Sequence, residues 1–269
     1  MILYFGLTVI GCQHDSTSTI HETKVSALER LPNNQAGEVI RKSITHAGGW
    51  DNWEAKNNFQ FYKNIIQLDS TGKEKRRIRQ LHQYQLQPSF KARMTWEIDG
   101  TNYTIVNTGQ QAWKYENGKE LTDDQSQKEA WNSSFGSHYV VSMPFKLTDP
   151  SVILKYDGID TLDSGQVVHA VKVDYEKGAG SSGGFHVWWY YFDKDTYALA
   201  ANYLDYGNGY SYTEYQTTKV VDGIVIQENR NSHQAFKDKS VGYIKTVYEN
   251  DGMQFDVALT DNMFEPIAQ

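Results

Sequence analysis

The chain has 269 residues, a formal net charge of -7 and a single cysteine. That acidic balance lacks the clustered Lys and Arg with which proteins grip phosphate backbones, so no nucleic-acid partner is expected, and one thiol cannot close an internal disulfide. Aromatic residues make up 13% of the chain, with 18 Tyr and 7 Trp, a composition that β-rich folds favour, and at this length one domain is the default.

The apolar run 2–11 leads into Val9-Ile10-Gly11-Cys12. About ten apolar residues are too few to cross a bilayer, which takes roughly twenty, and the run reads as the apolar region of a signal peptide. Val9 to Cys12 resembles the lipobox of bacterial lipoproteins. The resemblance implies cleavage before Cys12 and lipid attachment at its sulfur, with a palmitate-type acyl chain and the membrane as a partner. No Lys or Arg precedes the run, a departure from the usual charged opening. Residues 1–11 are thus expected to be a lipoprotein signal peptide, and residues 12–32, polar and rich in Ser and Thr, a flexible tether. The expected location is the cell envelope, lipid-anchored at the outer membrane and facing the periplasm.

The folded domain is expected over residues 33–269. Ala36, Val39, Ile40, Ile44 and Ala47 recur at three- and four-residue steps, which marks one apolar helix face. Asn33 or Asn34 can cap its start and Gly48-Gly49 can end it, while Trp50 and Trp53 extend the apolar face by a further turn. From Phe59 the period changes to that of strands. Residues 59–68 and 76–86 form a hairpin about the turn Asp69-Ser70-Thr71-Gly72, and further strands are expected at 91–99, 102–108 and 112–115. A second helix follows, capped by Asp123 or Asp124, with Trp131, Phe135 and Tyr139 at four-residue steps and Pro144 limiting it. Seven more strands are expected at 151–156, 167–175, 185–192, 198–206, 210–220, 224–231 and 241–248. Strand after strand with little helix argues for an antiparallel sheet. The fold class is therefore α+β, mainly β: a curved antiparallel sheet, or half-barrel, with helices covering its concave face.

The order of elements, together with Trp189 to Tyr203 (strand, Asp-containing turn, strand) and Tyr215 to Ile226 (strand, Gly-containing turn, strand), resembles the LolA/LolB superfamily of lipoprotein carriers. His46-Ala47-Gly48-Gly49-Trp50 looks like a group of envelope lipoproteins placed near that superfamily. The resemblance spans about residues 36–265. It implies a half-barrel lidded by helices around an apolar cavity for acyl chains, and it implies no catalytic residue.

The residues themselves offer little chemistry. The eight histidines are dispersed, with no pair at ligand spacing and no cysteine partner, so no metal site is expected. Asp69 to Gly72 reads as a hairpin turn, and the glycine-rich stretch Lys177 to Gly184 lacks the following helix that a phosphate loop needs. Asp157, Asp160 and Asp163 lie three apart in an expected loop, which suits ordinary turns better than a calcium site. No serine stands in a Gly-x-Ser-x-Gly elbow. No catalytic residue and no cofactor is therefore assigned.

What remains is apolar: Phe61, Ile65, Met94, Trp96, Trp113, Trp131, Phe135, Met143, Phe145, Trp189, Tyr191 and Tyr203 are the candidate ligand-binding residues, on elements that can face the concave side. The function expected is a non-enzymatic, membrane-anchored envelope lipoprotein that binds a hydrophobic or lipid ligand in a half-barrel cavity. The alternative is a lipoprotein interaction module that docks an envelope protein partner and has a packed interior.

Overall fold

The computed structural model describes residues 26–179 and 186–268. Cys12, the expected signal peptide and residues 12–25 of the expected tether lie outside the described residues, as do residues 180–184 of the glycine-rich stretch.

Strand alternation builds the molecule. In chain order the strands are β1 (Asn58–Leu68), β2 (Glu74–Gln85), β3 (Lys91–Ile98), β4 (Thr101–Asn107), β5 (Ala112–Glu116), β6 (Lys119–Leu121), β7 (Val152–Thr161), β8 (Val167–Tyr175), β9 (Val187–Asp193), β10 (Leu199–Asp205), β11 (Tyr210–Val221), β12 (Ile224–Ala235) and β13 (Val241–Phe255). They form one curved, open antiparallel sheet in the order β6-β5-β4-β3-β2-β1-β13-β12-β11-β10-β9-β8-β7. Every neighbouring pair but one is consecutive in the chain. The exception is β1 with β13, which joins two meanders by setting Lys63 opposite Asn250 and Ile65 opposite Tyr248. Tight turns close the hairpins: Asp69 Oδ1 accepts from the Thr71 and Lys73 amides at 2.9 and 3.1 Å, so the Asp69 to Gly72 turn is held by its own carboxylate.

The helices cover the concave face. Helix α1 (Gln35–His46) starts where the Asn34 side chain accepts from the Gly37 amide at 3.1 Å, which satisfies one of the free amides of the first turn. Its buried stripe of Ala36, Val39, Ile40 and Ile44 packs with Phe59, Phe61, Tyr84, Val171, Tyr190, Phe192, Ile224 and Phe255 in the main core. Val39, Ile40 and Ile44 each contribute about 1.5–3 kcal/mol on burial. After α1 the chain turns through Gly48 at φ +112°, with the Val225 amide donating to the Ala47 carbonyl at 2.9 Å. A Cβ at Gly48 would collide with the Gly223 carbonyl, so only glycine lets this corner seat against the β11–β12 turn. The short helix α2 (Trp50–Glu54) follows and stacks Trp53 on Phe145, ring centroids 4.5 Å apart. Helix α3 (Asp124–Val141), capped by Asp123 accepting from the Ser126 amide at 2.9 Å, lies across β3, β4 and β5.

Several boundaries differ from the sequence reading. Ala27 and Leu31, expected in the tether, are buried, and residues 27–30 form a 3-10 turn, so the described body begins before residue 33. Strand β7 runs to Thr161, through Asp157 and Asp160, where a loop was expected; a bulge between Tyr156 and Gly158 absorbs the glycine, and β8 supplies the pairing. Strand β13 continues to Phe255 and β12 to Ala235, because β1 and β11 run alongside them. The three-residue β6 is too short for a periodic signal.

Candidate functional site

The half of the concave face under α3 is not filled. Helix α3 supplies Lys128, Asn132, Ser133, Phe135, Gly136, Ser137, Tyr139 and Val140, one stripe at helical spacing. The inward registers of the sheet supply Trp188 from β9, Asn202 and Leu204 from β10, Ser211 and Thr213 from β11, Arg230 and Ser232 from β12, Tyr248 from β13 and Lys63 from β1. They line a half-open cavity of about 800 Å³. A second chamber of about 240 Å³ adjoins it, lined by Ile65, Gln80, Met94, Trp96, Ile105, Lys114 and Glu129. Lys63, Ser133, Ser137 and Tyr248 line both chambers and form the waist between them.

Polar groups at the waist set its electrostatics. Lys63 Nζ donates to Ser137 Oγ at 3.2 Å and lies 5.0 Å from the centroid of the Tyr248 ring. The Arg230 guanidinium lies 4.8 Å from the same ring. Burial, helped by the charge on Arg230, pushes Lys63 down to about 7. The same two cations and, above all, burial hold His82 well below the usual histidine range, and burial pushes Tyr215 up to about 12 against the pull of Arg230. No Asp or Glu lines the larger chamber among the described residues, and Glu129 in the smaller one is taken by Lys114 at 2.9 Å.

The candidate residues are distributed unevenly over this geometry. Phe135 lines the larger chamber, and Ile65, Met94 and Trp96 line the smaller one. Phe61, Met143 and Phe145 sit in the closed core, and Trp131 stacks on Phe135 at 5.9 Å. Trp113, Trp189, Tyr191 and Tyr203 are on the opposite, convex face. Register places them there: Trp188, not Trp189, pairs with the inward Leu204, and Lys114, not Trp113, pairs with the inward Ile105. Trp189, Tyr191 and Tyr203 instead belong to a separate convex cluster with Val168, Ala170, Ala201, Tyr212 and Ala235. Asp157, which the sequence sets in an acidic loop, accepts from the Trp189 indole at 2.9 Å on that outer side.

Lys63, Arg230 and Tyr248 escaped the sequence reading, which sought apolar residues. A signal existed for Lys63, because it falls between Phe61 and Ile65 on the inward register of β1. Arg230 lies between Asn229 and Asn231, where no alternation assigns a face. Among the described residues no group of three or more His, Cys, Asp or Glu is placed to hold a metal, and no helix is long and apolar enough to cross a membrane.

Comparisons with known proteins agree on the architecture. A family model described as a family of unknown function, DUF6503, matches residues 30–261. No curated protein matches the sequence. Among solved structures, a DUF1329 family protein from Desulfovibrio piger is similar with a TM-score of 0.57 and 11% identity, over 86% of this chain and 97% of that one. A LolA superfamily protein from Nitrosomonas europaea is similar with a TM-score of 0.53 and 10% identity, over 86% and 97%. A domain from Vibrio parahaemolyticus named for outer membrane lipoprotein sorting gives 0.53 and 11%, over 84% and 94%. At these identities the likeness is one of fold, and the fold is LolA-like.

Proposed function

The chain belongs to the DUF6503 family, whose function is unknown, and from that premise we propose that it is a non-enzymatic envelope lipoprotein that holds an acyl-chain ligand in the cavity beneath α3. The cavity itself carries this reading. At about 800 Å³ it has the size of a small-molecule site, roughly 300–1,000 Å³, and Phe135, Tyr139, Val140, Trp188 and Leu204 give it an apolar strip among Ser, Thr, Asn and basic side chains. Transfer of each CH2 from water onto that strip contributes up to about 0.8 kcal/mol, so a long acyl chain gains more there than a short one. The LolA-like fold supports the same reading by analogy. The lipobox at Val9 to Cys12 supports anchoring at the envelope through Cys12, with the residues up to about 26 as tether. A module with a packed interior fits the unfilled concave face less well.

Gly136 provides a test. It lines the cavity from α3, and a Cβ built there meets nothing within 4 Å. Gly136→Trp should therefore fill the chamber without disturbing the helix. Wild-type protein is expected to take up a fluorescent fatty acid and to release acyl compounds to mass spectrometry, and Gly136→Trp to do neither. Equal uptake by both, or none by the wild type, would overturn the proposal.

A further inference from the structure

The waist holds more positive charge than its surroundings account for. Arg230 is only 7% exposed, and its Nε has no hydrogen-bond partner. No ion pair involves Arg230 or Lys63 among the described residues, and no carboxylate lines the larger chamber. What meets them is neutral: the Tyr215 hydroxyl at Arg230, Ser137 at Lys63, and the face of Tyr248, which both cations flank at 4.8 and 5.0 Å, and a hydroxyl or a ring face is a weak substitute for an anion. Removing a cation from water costs several kcal/mol unless an opposite charge meets it. Two adjacent cations on one ring also repel each other. Buried positive charge that no carboxylate meets, inside a ligand-sized cavity, points to a ligand that supplies the counter-charge.

We infer that the ligand carries an oxyanion, a carboxylate or a phosphate monoester, seated at the waist between Lys63 and Arg230. This deepens the acyl-chain reading and rests on it for the tail. Lys63 and Ser137 face one side of the oxyanion, and the Arg230 guanidinium, which lines the larger chamber, faces the other. The tail extends along Phe135, Trp188 and Leu204. A guanidinium offers a planar fork suited to two oxygens, and an ammonium offers a point charge, so the pair binds carboxylate or phosphate alike. Lys128, exposed on the α3 rim, adds a third cation on the approach.

Four probes test it on the full chain: hexadecanoic acid, its methyl ester, hexadecyl phosphate and inorganic phosphate. The acid or the alkyl phosphate should bind about 10- to 100-fold more tightly than the ester, the span of one charge-assisted hydrogen bond. The tighter of the two identifies the group. Arg230→Gln and Lys63→Met should each erase most of that preference while the ester still binds, and Arg230→Lys should restore part of it. If the ester binds the wild type as tightly as both anionic probes, the inference is overturned and the acyl-chain reading stands. If only inorganic phosphate binds, and Arg230→Gln abolishes that, the anion site stands and the acyl-chain reading falls. If no probe binds, both fall. The comparison of acid with ester needs only wild-type protein, so a variant that fails to fold leaves the test intact.

Discussion

Lys63 is the residue on which solution conditions act most directly. It is faced by Ser133 and Ser137 of α3, Tyr248 of β13, Arg230 of β12, and Gln80 and the already neutral His82 of β2. With its value pushed down to about 7 by burial and by Arg230, the empty protein carries a neutral amine there at pH 8.5. An anion at the waist favours the ammonium and raises the value again. Binding of hexadecanoic acid at pH 8 is therefore expected to take up a proton, and affinity should fall as pH climbs from 7 towards 9. Calorimetry in buffers of different ionisation enthalpy measures the uptake; Lys63→Met should remove it. For stability the sign is separate. The folded protein binds fewer protons at Lys63 than the unfolded chain between about pH 7 and the usual lysine range, so this group alone makes unfolding harder as pH rises through that window. Gly48 is the other residue whose role is sharply defined. Gly48→Ala forces a Cβ into the Gly223 carbonyl at positive φ, and a loss of about 2–4 kcal/mol is expected from strain plus overpacking, read from the shift of a urea midpoint at constant m-value.

Among the elements, the helices were the most legible. Asn34 and Asp123 cap α1 and α3 as the sequence suggests, since an N-cap needs only a local side chain and a local amide. Strand positions were legible too, but strand faces were legible only where polar residues alternate with apolar ones. In the first half of β1 they do, and the candidates Phe61 and Ile65 both face inward. In β9, Trp188-Trp189-Tyr190-Tyr191 presents a large aromatic at every position, so nothing local distinguishes the two faces. There the register with β8 and β10 decides, and it sends Trp189 and Tyr191 outward. A one-residue slip moves a whole strand's set across the sheet. The convex cluster that results explains why so aromatic a chain has aromatic residues to spare: its sheet is apolar on parts of both faces. The polar side of the site was least legible, because Arg230 reaches the waist through a pairing with Tyr248 that no short segment records.

For the whole molecule, the proposed function gives lipid two independent roles, as anchor at Cys12 and as cargo beneath α3. Labelling cells with a radiolabelled fatty acid separates them: wild type should carry covalent label that survives denaturation, and Cys12→Ser should lose it while keeping uptake in the purified protein. Equal covalent label in both would remove the anchor and leave the cavity untouched. The order of the sheet bears on how such a protein comes into being. Among the described residues its two meanders share strand pairing only where β1 lies beside β13, almost two hundred positions later in the chain at Lys63 and Asn250. Arg230 and Tyr248, late in the chain, must therefore reach Lys63, which emerges early. No emerging fragment that stops short of β13 can assemble the waist, so a chain still being made has no complete cavity until its last strand docks.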